Sequence, residues 1–328
     1  MDKLNTAVIG VGNMGIHHAR ILSQISNLVA IADVNKQRLK EVAELYNCNS
    51  YADYNEMLEN EKLDHVSIVA PTHLHKKVTI DVVNRKINAL LEKPIATSIG
   101  EAKEIYKAVK NSGVKFTVGH VERFNPAVIK LKEILTNGDL GEILSIITRR
   151  VGTAGSPVSY ENIIVDLAIH DIDVVNFLLN RDKPDKTASF IGKSAINNRE
   201  DYADIMLRHG NTNVMIQVNW ITPIKIRILS VNGSKAYAEL NYITQELKLY
   251  KMGYIKEYDS FGKFVLKYSK PDEINIHVEK DEPLKLELKS FLECIKDNGQ
   301  PLVTIGQSMN ALEIALRLLK ENSQKEVL

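Results

Sequence analysis

Only two cysteines, Cys48 and Cys294, occur in 328 residues. They lie far apart and lack the spacing of a metal-binding pair. That leaves no disulfide framework and no cysteine-held metal, and reads as free thiols in a reducing compartment. A surplus of charge is also missing, since 42 Lys and Arg stand against 41 Asp and Glu, with no long block of one sign. Neither nucleic acid nor an anionic membrane is therefore expected as the main partner. No apolar run approaches the roughly 18 residues that cross a bilayer. From Met1-Asp2-Lys3 a short apolar segment leads straight into Gly10, which is not the pattern of a signal peptide, so a cytoplasmic chain is expected. Internal repeats, low-complexity tracts and obvious linkers are absent too. What remains is 44% hydrophobic residues and a length suited to two domains.

The apolar pattern divides the chain. Up to about residue 120, short apolar runs at 6–9, 28–32, 66–70, 89–91 and 116–118 alternate with helical segments near 14–25, 35–46, 74–85 and 99–111. Strands apolar on both sides and separated by helices predict a parallel sheet covered on both faces. From about residue 141 the texture changes. Residues 214–220 and 224–228 alternate polar with apolar, and Gly210-Asn211 and Asn232-Gly233 are turn signals between strands. This predicts an antiparallel sheet with two unlike faces, partly covered by helices at 126–136, 163–179, 284–297 and 307–321. Trp220 falls on the apolar side of its strand and reads as core.

The first strand runs into Gly10-Val11-Gly12-Asn13-Met14-Gly15, which opens the first helical segment. In a dinucleotide-binding unit Gly10 permits the tight turn, Gly12 lets a pyrophosphate approach the backbone, and Gly15 lets helix and strand pack closely. The phosphates then sit on free N–H groups at the helix N-terminus. The second strand ends at Asp33, where the fold places an acid on the ribose 2′-hydroxyl. Asp33 repels a 2′-phosphate and no Arg follows it immediately, so NAD is expected in preference to NADP. The first domain, residues 1–120, is thus expected to be a Rossmann domain, a doubly wound parallel sheet. Residues 121–328 form the second domain.

Strand ends at the carboxyl edge of such a sheet face the ligand crevice. The strand at 88–91 ends in Glu92-Lys93-Pro94, which sets the Lys93 ammonium where it can polarise a substrate oxygen, although a surface lysine in a turn fits the spacing as well. Pro71-Thr72-His73-Leu74-His75 follows another strand, and His75 either lines the cofactor pocket or caps a helix. Downstream, Asp166 and His170 are i,i+4 neighbours on a helix, so the carboxylate can orient an imidazole general base. A surface ion pair, or a metal held by Asp166, His170 and Asp173, are the alternatives. In the segment 119–126, Arg123 and Asn125 are candidates for an anionic or hydroxylated substrate, though helix capping explains Asn125 alone. Arg149 and Arg150 are consecutive in a strand and point to opposite faces, so at most one meets a substrate.

Taken in order, Gly10-x-Gly12-x-x-Gly15, Asp33, the His75 segment, Glu92-Lys93-Pro94 and Asp166-x-x-x-His170 resemble the Gfo/Idh/MocA family of sugar and cyclitol dehydrogenases over the whole chain. The resemblance implies a Rossmann domain followed by an α+β domain on a large open, mainly antiparallel sheet, and a homodimer or homotetramer. It implies Lys93 at the reacting hydroxyl, His170 as acid/base and Asp166 beside it. The cofactor set it implies is Gly10, Gly12, Asn13, Met14, Gly15, Asp33, Pro71, Thr72, His75, Glu92 and Lys93. The substrate set is Lys93, His120, Arg123, Asn125, Asp166 and His170, with no metal. Within the family, residues 118–126 are similar to members that oxidise the 3-hydroxyl of UDP-N-acetylglucosamine. A free cyclitol or monosaccharide dehydrogenase and a non-catalytic NAD sensor are the other readings. One departure stands out: the family's Gly-Lys-His-Val before Glu-Lys-Pro is here Lys86-Ile87-Asn88-Ala89, so the turn must differ or accept strain at Lys86.

Overall fold

The computed structural model describes residues 3–153, 162–194, 200–251, 253–258, 264–268 and 270–325. The chain forms two compact units: Met1–Phe124 with Glu282–Glu313, and Asn125–Asp281 with Ile314–Leu328. The sequence division at residue 120 falls four residues before this boundary, and the segment Glu282–Glu313 groups with the first unit.

The first unit alternates strand and helix: β1 (Asn5–Ile9), α1 (Gly15–Ile25), β2 (Asn27–Ala32), α2 (Lys36–Tyr46), β3 (Asn49–Tyr51), α3 (Tyr54–Asn60), β4 (His65–Ile68), α4 (His75–Asn84), β5 (Asn88–Glu92), α5 (Ile99–Ser112) and β6 (Phe116–Gly119). The six strands are ordered β3-β2-β1-β4-β5-β6, and each neighbouring pair is parallel. The order reverses between β1 and β4, which is the point where such sheets open a ligand crevice beyond their carboxyl ends. β4 and β6 are buried at every residue, as helices on both faces require. β3 and α3 carry too little apolar periodicity to show in the sequence: β3 is a polar three-residue strand at the sheet edge.

In the second unit, α6 (Pro126–Thr136) precedes β7 (Ile143–Thr153) and α7 (Ile169–Leu179). Then come β8 (Lys186–Gly192), β9 (Tyr202–His209), β10 (Thr212–Asn219), β11 (Ile221–Gly233), β12 (Ala236–Asn241), β13 (Glu246–Lys251), β14 (Tyr254–Tyr258), β15 (Phe264–Tyr268) and β16 (Asp272–Ile276). Eight of these strands make one sheet in the order β16-β13-β12-β11-β7-β10-β9-β8, while β14 and β15 pair separately. The large sheet is antiparallel apart from the central β7–β10 pair. Along β9 exposed and buried residues alternate without a break, so one face is core and the other is open, as the period-two pattern predicts. Trp220 is buried. The expected turn at Asn232-Gly233 is displaced: β11 runs through Gly233, where a Cβ would stand 2.0 Å from the Leu140 carbonyl oxygen. That glycine serves a close approach between main chains rather than a turn.

Helix α8 (Pro283–Lys296) returns to the first unit, where Leu284, Leu288, Phe291 and Leu292 join the core formed by Val8, Val11, Ile21 and Leu22. Helix α9 (Ile305–Lys325) follows. No helix among the described residues is long and apolar enough to cross a membrane.

Lys86 takes φ 63° in the turn between α4 and β5, the strained alternative foreseen where the family has glycine. A left-handed backbone costs an L-residue about 1–2 kcal/mol, partly offset here by the Lys86 Nζ bond to the Ser112 carbonyl at 3.0 Å. Lys86→Gly is therefore expected to raise the urea midpoint, by about 1 kcal/mol of stability. An unchanged or lower midpoint shows that the lysine's own contact outweighs the strain.

Candidate active site

The crevice beyond β1 and β4 begins with the glycine loop. Gly10 has φ 89°, and a Cβ on it would lie 2.5 Å from the Val69 carbonyl oxygen; on Gly15 it would lie 1.8 Å from the Gly10 carbonyl oxygen. Both positions are closed to any side chain. Gly12 has open space around it, so its backbone is accessible to a ligand. Helix α1 starts without a side-chain cap and without an acid in its first turn, which leaves its amino end to an anion. A cavity of about 430 Å³ adjoins it, lined among others by Gly10, Gly12, Asp33, Tyr54, Pro71 and Leu74. A dinucleotide fits these features: glycine backbone for the pyrophosphate, an uncapped helix end, an acid at the end of β2 and an apolar wall for a base. Asn13 and Met14 are exposed at the helix start, and Thr72 is half-buried in a single 3-10 turn, Thr72–Leu74.

Asp33 is engaged by the main chain on both sides. Its Oδ2 accepts the Val11 N–H at 2.7 Å and its Oδ1 the Asn35 N–H at 2.8 Å. The acid thereby ties the glycine loop to the start of α2, whose first turn Asn35 caps by accepting the Arg38 N–H at 3.0 Å.

Two residues expected to touch the cofactor turn inward. His75 is 1% exposed, and its two ring nitrogens each stand 2.8 Å from a main-chain oxygen, Nδ1 from Pro94 and Nε2 from Ala70. It is not among the residues lining that cavity, and while its main chain closes the 3-10 turn and opens α4, both ring nitrogens are engaged between the loops after β4 and β5. Burial pushes its pKa down, with the Pro94 and Ala70 carbonyls pulling the other way; the neutral ring donates to one oxygen, the charged ring to both. Glu92 is likewise buried. Its Oε1 lies 3.0 Å from His18 Nε2, and its Oε2 accepts the Lys93 N–H at 3.1 Å. Burial pushes the Glu92 carboxyl up, but the hydrogen bond and charge of His18, with Lys93 beyond, bring it below the ordinary carboxylate range. His18, on α1 and wholly buried, was missed in the sequence; the only signal was an imidazole on the apolar side of that helix. Lys93 itself is half-buried and joined to Pro94 by a cis peptide bond.

In the second unit the helix expected at 163–179 is two structures. Ile164–Ala168 is a π-helical turn, and α7 begins at Ile169. Asn162 Oδ1 starts it, accepting the N–H groups of Ile164 and Val165 at 3.0 Å each. Asp166 lies in the widened turn and His170 just after it, both half-buried, whereas Asp173 is 1% exposed. Among the described residues no group of three His, Cys, Asp or Glu is placed to hold a metal. Of the paired arginines, Arg149 is exposed and Arg150 buried. Arg150 grips Asp171 with two bonds, Nε to Oδ2 at 2.7 Å and Nη2 to Oδ1 at 3.3 Å, and its guanidinium lies 5.0 Å over the Tyr242 ring. This buried fork anchors α7 one residue after His170.

The candidates in 119–126 are buried. His120, Arg123 and Asn125 are each 1% exposed. The 3-10 turn Val121–Phe124 directs the Arg123 side chain inward, where Nη1 donates to Gln307 Oε1 at 2.9 Å. The guanidinium is thereby held within the first unit. Asn125 caps α6 by accepting the Ala127 N–H at 3.1 Å and donates to the Tyr242 carbonyl at 3.0 Å, so the capping explanation holds.

Comparison with known proteins matches this geometry. The family described as "Oxidoreductase family, NAD-binding Rossmann fold" matches residues 4–120, and its "C-terminal alpha/beta domain" matches residues 132–327. The chain belongs to the Gfo/Idh/MocA oxidoreductase family. It is an NAD(P)-dependent dehydrogenase of the sugar and cyclitol type, acting on CH–OH groups. UDP-N-acetylglucosamine 3-dehydrogenase of Acidithiobacillus ferrooxidans is 27% identical over 255 residues, 77% of this chain and 79% of that protein. scyllo-Inositol 2-dehydrogenase (NAD(+)) of Bacillus subtilis is 27% identical over 335 residues, 96% of this chain and 92% of that one. A solved structure of the A. ferrooxidans enzyme shares the fold with a TM-score of 0.84 at 23% identity, covering 97% of both chains.

Proposed function

We propose that the chain is an NAD-preferring dehydrogenase that oxidises a secondary hydroxyl of a sugar, the 3-hydroxyl of UDP-N-acetylglucosamine. The observation that carries the cofactor half is Asp33, an acid fixed by two N–H donors at the wall of the cavity beside the glycine loop. A 2′-phosphate beside that carboxylate meets its charge. When bound, the nicotinamide would supply the hydride acceptor. His170 takes the hydroxyl proton, Asp166 orients substrate and imidazole beside it, and Lys93 stabilises the negative charge that develops on the oxygen. The half-buried setting of all three supports these roles over a sensor, which needs no such set. The nucleotide sugar rests on the likeness to UDP-N-acetylglucosamine 3-dehydrogenase. The burial of Arg123 removes one diphosphate partner and favours a second reading, a free cyclitol or monosaccharide.

The open face of the large sheet supports a homo-oligomer. Met206, Met215 and Ile147 are neighbours across β9, β10 and β7 and are 46%, 38% and 38% exposed. A homodimer or homotetramer built on that face covers them. Light scattering should return two or four chain masses, and Met215→Lys should lower that mass; a monomer in the unaltered protein excludes this assembly.

Cofactor choice is tested by titration. NAD should bind well ahead of NADP. Because the Asp33 carboxylate also holds Val11, Asp33→Ala should narrow the gap mainly by weakening NAD, about tenfold or more. Equal affinity of the unaltered protein for both cofactors overturns the assignment.

Substrate and chemistry are tested together by NAD reduction with UDP-N-acetylglucosamine, N-acetylglucosamine, myo-inositol and scyllo-inositol. UDP-N-acetylglucosamine should turn over, and Lys93→Ala and His170→Ala should each lower kcat by about a hundredfold with NAD affinity kept. Turnover of an inositol alone selects the second reading, and full activity in either variant shows that the roles are misassigned.

A further inference from the structure

Lys93 sits between two residues that are each gripped by a buried imidazole from a different helix. On its amino side, Glu92 presents one carboxylate oxygen to His18 of α1 at 3.0 Å and the other to the Lys93 N–H at 3.1 Å. β6 closes over that carboxylate, since a Cβ on Gly119 would stand 3.4 Å from it. On its carboxyl side, the Pro94 carbonyl meets His75 Nδ1 at 2.8 Å, and the same ring reaches Ala70, beyond the end of β4, through Nε2 at 2.8 Å. His18 and His75 are 0% and 1% exposed. Neither lines the cavity beside the glycine loop.

We propose that His18 and His75 are positioning residues that fix Lys93 by holding the residues on either side of it. The inference rests on the reading of Lys93 as the residue at the reacting oxygen. As core filling alone, two imidazoles are a poor choice, because each buries polar atoms that must then find partners. Of the three bonds they make, two fall on the residues flanking one half-buried lysine, and the third, from His75 Nε2, goes to Ala70. A long, flexible ammonium stabilises developing charge only where its anchor is held, and a shift of about 1 Å at a catalytic group costs about a hundredfold in rate. The arrangement also links helix α1, whose amino end faces the pyrophosphate site, to the Lys93 main chain through one carboxylate. His65, wholly buried and pushed down to about 3 by burial and by the nearby His18, stays neutral and adds no charge to the cluster at working pH.

The test is hydrogen exchange of the NAD-saturated protein, read by mass spectrometry in peptides covering residues 90–97. His18→Phe and His75→Phe keep ring volume and remove the bonds. Each should speed exchange in that segment about fivefold or more while the remaining strands of the first unit hold their rates. His18→Gln and His75→Gln, which restore an N–H donor, should return the slow exchange. With a turned-over substrate, the Phe variants should lose kcat about tenfold to a hundredfold at unchanged KM. Unchanged exchange at 90–97, or acceleration spread evenly through β4 and α4 and not reversed by Gln, overturns the proposal. Should a Phe variant not fold, nitrogen-15 NMR of the unaltered protein decides: His18 should carry its proton on Nε2, and a ring protonated only at Nδ1 excludes the Glu92 bond. Full activity in Lys93→Ala, by contrast, removes the catalytic reading while leaving the exchange result intact.

Discussion

The first unit depends on a place where main chain passes main chain with no room for a side chain. At Gly10 and Gly15 a single methyl group would enter a neighbouring carbonyl. Only that closeness lets β1, α1 and the end of β4 meet at one point, so that an uncapped helix end and the residues after β4 border the same crevice. Asp33 is drawn into the constraint through its bond to Val11. The glycine loop and the acid at the end of β2 are therefore one mechanical piece.

The second unit has a different anchor. The Arg150–Asp171 pair is a charge couple with almost no water around it, its side chains 6% and 1% exposed. Such a pair contributes little net stability against an apolar substitute, yet losing one partner costs about 3–5 kcal/mol because the other charge is stranded. What the pair contributes is registry. It ties α7 to β7 beside His170, and Tyr242, under the guanidinium, also receives the Asn125 side chain. One aromatic residue thus joins the start of α6 to the sheet.

Much of this was legible in the sequence, and the misses share a cause. Periodicity located β1, β2, β5 and β6 to within a residue or two at either end, because a strand buried on both faces is a plain apolar run. Gly10 and Gly15 were legible because each answers a steric demand. Side-chain direction in short turns was not. Arg123 and His120 lie in or beside a 3-10 turn, where neither the helical nor the strand period applies, and the charged residue went inward. His75 and Glu92 follow the motif order of cofactor-binding residues and turn inward, to main-chain oxygens and to His18 and the Lys93 N–H, and His18 lay hidden in an amphipathic helix. A polar residue whose partner is distant in sequence gives no local sign of that partner. Lys86 shows the opposite case: its departure from glycine left either a different turn or strain, and the backbone takes the second with φ 63°.

The π turn at Ile164–Ala168 makes the spacing of Asp166 and His170 a matter of chain length as well as residue identity. A helix advances about 100° per residue, so removing one residue from that turn, and letting it close to an ordinary helix, swings everything before it by more than a quarter of a revolution relative to α7. No point substitution produces that rotation. Divergence among proteins of this architecture has two separate routes at this position, exchange of side chains at fixed bearing and insertion or deletion that resets the bearing itself. Alignments that force this segment into an uninterrupted helix will pair residues that face different directions.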